Sequence, residues 1–393
     1  MKRALLAGIC FLPVVLMTGC SGFWDYAGSS TTTTTTTKSS GYFYVLNSTT
    51  ATLAGYYISS GSLTKISGSP YSLTGTPYAI AMAPSGNFLY VSTSSGIYLY
   101  TIASNGVLTS QGLVFSDTNA TALAISGSWL IEADLVSTTE LQLIAYAIDS
   151  STGASQSATE YRTYTFTYSS STVPTVKQMV ISPNDDYLFV ALGTGGTIAV
   201  PFTTGNTDPM GATAKLIPAS SNSGSALSVA VDPSERLFYI GETLAASSAS
   251  TGGVRVFEYS SLSGTLTQAS GSPIASGSAS PNAILPEATG NYVYVANSNG
   301  STSDGVLKEF AITESSSTYT ITAKNSYTSG IVPKGLAEDS DDNFVLVASS
   351  GGSTSAGSPD LEALSMSSGA LTANITSTTG SDPTGAIAIV AKP

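Results

Sequence analysis

A chain of 393 residues that is 42% hydrophobic can bury a large core, and its formal charge of −12 excludes the basic footprint that nucleic-acid or anionic-lipid binding requires. Histidine is absent, which rules out a serine–histidine–acid triad and a histidine-ligated zinc or iron site, so any chemistry must run on Asp, Glu, Lys, Arg or Tyr. Only 10% of the residues are charged, and Ser, Thr and Gly supply the polar surface instead, as suits an extracytoplasmic protein.

Met1-Lys2-Arg3 makes a short basic start, and Ala4 to Met17 is apolar. Leu16-Met17-Thr18-Gly19-Cys20 resembles a lipobox, the signal for acylation of Cys20 and cleavage before it. Residues 1–19 are therefore expected to be a lipoprotein signal peptide. Cys10 lies inside this leader, so the mature chain keeps Cys20 alone and can form no internal disulfide. Ser21, rather than Asp, follows the cysteine, which resembles the outer-membrane sorting pattern of cells with two membranes. Residues 20–40, including Thr31–Thr37, have no apolar periodicity and read as a polar tether. The membrane is thus expected to be a partner through the lipid anchor only.

From Gly41 onward the chain repeats. An aromatic or aliphatic strand core recurs as Phe43-Tyr44-Val45, Leu89-Tyr90-Val91, Leu130-Ile131-Glu132, Leu188-Phe189-Val190, Phe238-Tyr239-Ile240, Val293-Tyr294-Val295 and Val345-Leu346-Val347. A second strand and a turn precede the marker, as in Ala79-Ile80-Ala81-Met82-Ala83-Pro84-Ser85-Gly86, where Pro presets φ and the small polar residues after it tolerate the turn conformation. A third strand comes after the marker, as in Val254-Arg255-Val256-Phe257, and Gly-x-Leu-Thr opens a fourth at Gly61, Gly106, Gly264 and Gly369. Two of these run on into Gly68-Ser69-Pro70 and Gly271-Ser272-Pro273.

Four short strands in a period of about 50 residues is the arithmetic of a propeller blade. The chain starts on a marker strand that lacks its preceding strand, and it ends on Ala386-Ile387-Ala388-Ile389-Val390, which is that missing strand. Residues 41–393 are therefore expected to form an all-β, seven-bladed propeller closed by pairing of the C-terminal strand with the N-terminal strands.

The stretch Pro77-Tyr78-Ala79-Ile80-Ala81-Met82-Ala83-Pro84 running into Tyr90-Val91 resembles the repeat of the lactonase-like propellers, the family of bacterial 6-phosphogluconolactonases and of secreted Tyr-Val-Thr-Asn repeat proteins. The resemblance implies the fold over residues 41–393 and a lactone ring-opening activity in catalytic members. Those members carry Gly-Pro-Arg-His on an inner strand, then a His-Pro turn, then Asn-Glu after the marker. On the best-matching segment the Arg and His positions fall on Leu227 and Ser228, the turn histidine on Asp232, and the Asn-Glu pair on Glu242-Thr243. The carboxylate is displaced by one residue, which on a strand reverses its face. The catalytic pattern is not retained.

Three groups of residues remain as weaker candidates. Glu242 and Arg255 flank the loop Ala245–Gly253 and could bind an anion or polyol if they face the channel, or be an inert surface ion pair or solvated loop charges. Glu132 and Asp134 could do acid–base work if one were buried, or be ordinary loop residues. Asp339, Asp341 and Asp342, like Asn184-Asp185-Asp186, concentrate oxygen ligands of the kind calcium takes, but sit where hairpin turns use Asx chemistry. No other cofactor is indicated. Two readings remain: an envelope-anchored, non-catalytic binding or scaffold propeller for a glycan, small metabolite or protein at its channel or rim, or a lactonase-like hydrolase using carboxylates and water. A hydrolase predicts convergent charges in the channel, and a scaffold predicts Ser, Thr, Ala and Gly there.

Overall fold

The computed structural model describes residues 40–393 apart from 60, 138–139, 157–160, 168–173, 212, 221–223, 245–250, 261–264, 278–279, 317, 352–359 and 376–384. The leader, Cys20 and the threonine tract lie outside the described residues. Every assigned element is a β-strand, and the seven marker segments each fall inside one. Near-continuous apolar runs such as Phe88–Val91 and Leu237–Ile240 hold these strands in sheets whose two faces both meet a neighbouring sheet.

The chain lays down its sheets in order, each an antiparallel meander. The first combines Ala386–Ala391 with Ser40–Asn47, Thr52–Ser59 and Ser62–Lys65. The second runs from Pro77–Met82 to Leu108–Phe115, the third from Ala122–Ser126 to Tyr161–Thr167, the fourth from Gln178–Ile181 to Lys215–Ile217, and the fifth from Ala226–Val231 to Thr265–Gln268. All five contain four or five strands.

The sixth sheet corrects an expectation. Seven separate sheets were expected, whereas the described strands make six, the last with seven strands from Ser280–Pro286 to Ala370–Ile375. The cause is the 21-residue strand Thr318–Glu338. Its first part pairs with Asp304–Ser315 and its last part with Phe344–Gly351, so no break in pairing separates the leading half from the trailing half. The chain bends at Val332, whose φ of +52° is unusual for a β-branched residue.

The core lies between sheets rather than at the centre. Phe189 of the fourth sheet stacks on Phe238 of the fifth at 4.1 Å between ring centroids. Several marker tyrosines extend this packing into polar pins. Tyr44 donates its hydroxyl to the Gly106 carbonyl of the next sheet at 2.7 Å, Tyr90 to that of Gly153 at 2.6 Å, and Tyr294 to that of Gly369. Each receiving glycine sits in a left-handed turn (φ +72° to +81°) that aims its carbonyl at the ring. The Gly-Ser-Pro segments also recur as one device. Ser69 Oγ accepts from the Gly55 N–H at 2.9 Å, and Ser272 Oγ accepts from that of Val256 at 2.8 Å.

The end of the chain pairs with its beginning as the termini indicated, with Phe43 opposite Ala391, Tyr44 opposite Val390 and Val45 opposite Ile389.

Candidate functional site

The innermost strands converge on a central channel, and a repeated irregularity shapes its mouth. The pairing register jumps between Pro77 and Ala79, Ala226 and Ser228, Pro281 and Ala283, and Pro333 and Gly335. Each jump leaves one residue out of the ladder: Tyr78, Leu227, Asn282 or Lys334. Ile387 is skipped in the same way where Ala386–Ala391 meets Ser40–Asn47. Such bulges re-aim the unpaired side chain. Each skipped residue lies six positions before the turn or the chain end, and the same count reaches Thr121 and Lys177 in the other two inner strands. One repeat position therefore forms a ring.

Tyr78, Thr121, Lys177, Asn282, Lys334 and Ile387 line a recess of about 240 Å³ at this end of the channel. Asn282 Nδ2 donates to the Pro333 carbonyl at 2.9 Å, tying the two innermost strands of the sixth sheet beside Lys334. Gln178 Oε1 accepts from the Val229 N–H at 3.1 Å, tying the fourth sheet to the fifth beside Lys177. The amides thus fix the ring, and the two ammonium groups face its solvent. Burial of part of the Lys334 side chain, and then the charge of Lys177, lower the Lys334 pKa. Gly335 permits the close approach here: a Cβ on it would stand 2.9 Å from the Ile389 side chain. Among the described residues lining this recess, none is acidic. In a chain of −12 the mouth is a local cationic spot that attracts anions.

The far end differs. A recess of about 490 Å³ is walled by aliphatic side chains such as Met82, Ile125 and Ile181, with Glu338 as its acid. Glu338 Oε2 accepts from the Ala288 N–H at 3.1 Å, while Oε1 is buried without a partner. Burial, then the nearby Asp342, Glu287 and Asp339, push its carboxyl up to about 8.

The carboxylates singled out in the sequence lie elsewhere. Glu242 Oε1 and Arg255 Nη2 do meet, at 3.1 Å, but as a buried ion pair between sheets. Glu242 Oε2 accepts from the Ser220 N–H at 3.1 Å and Arg255 donates to the Pro218 carbonyl at 2.9 Å, so the pair anchors the connection from the fourth sheet to the fifth. Burial raises the Glu242 carboxyl against the opposing pull of Arg255.

Glu132 is fully buried on Trp129–Ser137, and burial followed by the charge of Asp117 pushes it up to about 9. Asp134 is half-buried and raised by burial. Its influence on Glu132 is the smallest of the causes, so Asp117 rather than Asp134 is the significant neighbour.

Asp339 Oδ1 accepts from the N–H groups of Asn343 (2.7 Å) and Phe344 (2.6 Å), and Asp342 stands at φ +54°. This is turn chemistry. Asp185 likewise takes φ +61° and receives the Ser126 hydroxyl. Among the described residues no group of three or more acidic or cysteine side chains, Asp341 included, is placed to hold a metal ion.

At the positions matching the lactonase pattern, Leu227 is left out of the ladder, Ser228 donates to the Pro281 carbonyl at 2.8 Å, and Asp232 pairs with Arg236 at 2.8 Å.

Lys334 escapes a reading by motif because a bulge is a relation between two strands, and Lys177, whose N–H donates to the Ala191 carbonyl at 2.9 Å just before Gln178–Ile181, belongs to no motif either. The signal that finds them is positional: each stands six residues before the turn, where the second sheet has Tyr78.

No protein-family model matches the chain, and neither does any curated protein. Solved structures do match. A candidate 6-phosphogluconolactonase from Bacteroides uniformis aligns at TM-score 0.65 and 16% identity, over 89% of this chain and 98% of that one. The periplasmic gluconolactonase PpgL of Pseudomonas aeruginosa aligns at 0.66 and 17%, over 90% and 99%. A functionally unknown protein from Desulfotomaculum acetoxidans aligns at 0.63 and 10%, over 90% and 99%. At these identities the likeness establishes the all-β propeller fold and nothing finer.

Proposed function

We propose that this chain is an extracytoplasmic, lipid-anchored propeller that binds a small carboxylate at the cationic mouth of its channel and does not transform it. The observation that carries this reading is the pair Lys177 and Lys334 on one ring, in a recess free of acidic lining. Two cations without a carboxylate or imidazole beside them can hold an anion, but they do not supply the oxygen base that activates water for ring opening. Convergent charges are what the hydrolase expectation asked for and not what the scaffold expectation did, but both of these are cations.

The lipobox ending at Cys20 supports export and anchoring, to the outer membrane in a two-membrane cell, and residues 20–40 would then act as a spacer. We also read the sixth sheet as two blades fused through Thr318–Glu338, giving seven in all. Seven apolar clusters support this, each drawn from two successive units and one lying between its two halves.

The second reading, a lactonase, is favoured by the two gluconolactonase-type neighbours. One experiment separates the two. Calorimetric titration of the full chain with gluconate should give saturable binding that Lys177→Gln and Lys334→Gln each weaken at least tenfold and that a calcium chelator leaves unchanged. Hydrolysis of glucono-lactone should stay at the solvent rate. Lys-independent binding, or turnover lost in those variants, overturns the proposal.

A further inference from the structure

The cationic mouth and the apolar recess share one wall. Ile80, Leu123, Met179, Leu336, Ile389 and Val390 line both, so aliphatic surface runs from just below the lysines to the far opening. From Lys334 to Glu338 the strand advances about 13 Å, at the usual rise of roughly 3.3 Å per residue. No polar side chain interrupts the lining of the lower recess before Glu338. Ile80, Leu123, Met179 and Ile389 keep 7 to 8% of their surface exposed, an edge each rather than a face. The unbranched thioether side chain of Met179 adapts readily to what passes it.

Such a bore discriminates by chemistry. The hydroxyls of a polyol drawn down it would meet aliphatic side chains from every contributing strand, and each one left without a partner weakens binding. An alkyl chain there removes its own apolar surface and that of these side chains from water. The head and the tail of a ligand therefore meet opposite ends of one site.

We propose that the channel binds an unbranched aliphatic carboxylate of medium chain length, its carboxylate between Lys177 and Lys334 and its tail along the bore. The inference rests on the anion-binding reading of the mouth and adds the tail to it. Glu338, at the bottom, ends the apolar wall and so limits the useful length.

The test is calorimetric titration of the full chain with butanoate, hexanoate, octanoate and decanoate below their aggregation concentrations. Affinity should rise roughly fourfold per methylene, the value of about 0.8 kcal/mol for each one buried, with one ligand bound per chain. Octanol should bind more weakly than octanoate, and Lys334→Gln should bring octanoate down to the level of octanol. Ile125→Trp, which alters the lower recess and not the mouth, should weaken decanoate more than butanoate once its fold is checked by circular dichroism. A flat chain-length series with Lys-dependent butanoate binding sinks the tail and leaves the anion site standing. Chain-length dependence without dependence on Lys177 or Lys334, or uptake beyond one per chain, sinks the assignment of the channel altogether.

Discussion

Glu132 shows how far burial can move a single carboxyl. Its surface is fully covered, and Asp117 beside it adds a second negative charge. The folded chain therefore holds the Glu132 proton up to about 9, whereas the unfolded chain releases it in the ordinary glutamate range. Stability from such a group is complete below that ordinary range and is lost as pH climbs toward 9. Glu338 and Glu362, both pushed up to about 8 with burial as the first cause, act in the same direction. Urea unfolding should accordingly show stability falling between about pH 5 and about pH 9. Glu132→Gln should flatten that slope and stabilise the chain at pH 7 by up to about 3 kcal/mol. An unchanged slope would mean that water reaches the carboxyl. Burial raises Glu242 as well, but there Arg255 opposes the rise and partners the charge. Removing one partner of a buried pair strands the other charge, so Glu242→Ala should cost about 3 kcal/mol in the same assay. Gluconate affinity should stay within twofold, since neither residue lines the mouth.

At the scale of the element, the bulged inner strand does what a regular strand would not. It keeps the sheet paired on both sides of Lys334 while excluding that residue from the ladder. This explains which parts of the molecule were legible in the sequence. Marker strands such as Phe238-Tyr239-Ile240 advertise themselves, because residues buried on both faces must be apolar throughout. The closing strand was legible for the same reason. Lys177 and Lys334 look like any exposed lysine until the inner strands are set in register on their turns. For Glu242 and Arg255 the sequence left a channel site and a surface ion pair both open, because whether a strand-end pair faces a channel, solvent or a neighbouring sheet depends on packing that spacing does not encode. The continuous strand Thr318–Glu338 contains Ser329-Gly330 and Pro333, residue types that ordinarily interrupt a strand. The chain instead bends at Val332, and a left-handed conformation costs a non-glycine residue roughly 1–2 kcal/mol. Val332 is only half-buried, so Val332→Gly should relieve more than it loses and raise the unfolding free energy by about 1 kcal/mol. A lower urea midpoint for that variant would show that packing of the valine side chain outweighs the strain.

For the whole molecule, everything described depends on Ala386–Ala391. This strand covers the edge of Ser40–Asn47, whose residues Phe43 to Asn47 are entirely buried. It also lends Ile387, Ala388 and Ile389 to the wall of the mouth. Ile389 packs with the cluster shared by the trailing half of the sixth sheet and the first sheet, and Val390 with the cluster between the first and second sheets. A chain ending at Gly385 would thus lose a ladder of backbone hydrogen bonds, two apolar seams and part of the binding site in one step. It would also present an unpaired apolar strand, a template for association with other chains. Such a truncation should elute as aggregates on gel filtration, unfold without a cooperative transition and fail to bind gluconate. A synthetic peptide spanning 386–393 should restore the monomer by adding the missing strand, since strand addition draws on the same main-chain bonds. A monomeric truncation with an unaltered unfolding midpoint would mean that the remaining sheets hold one another without closure, and that the channel needs no ring to keep its shape.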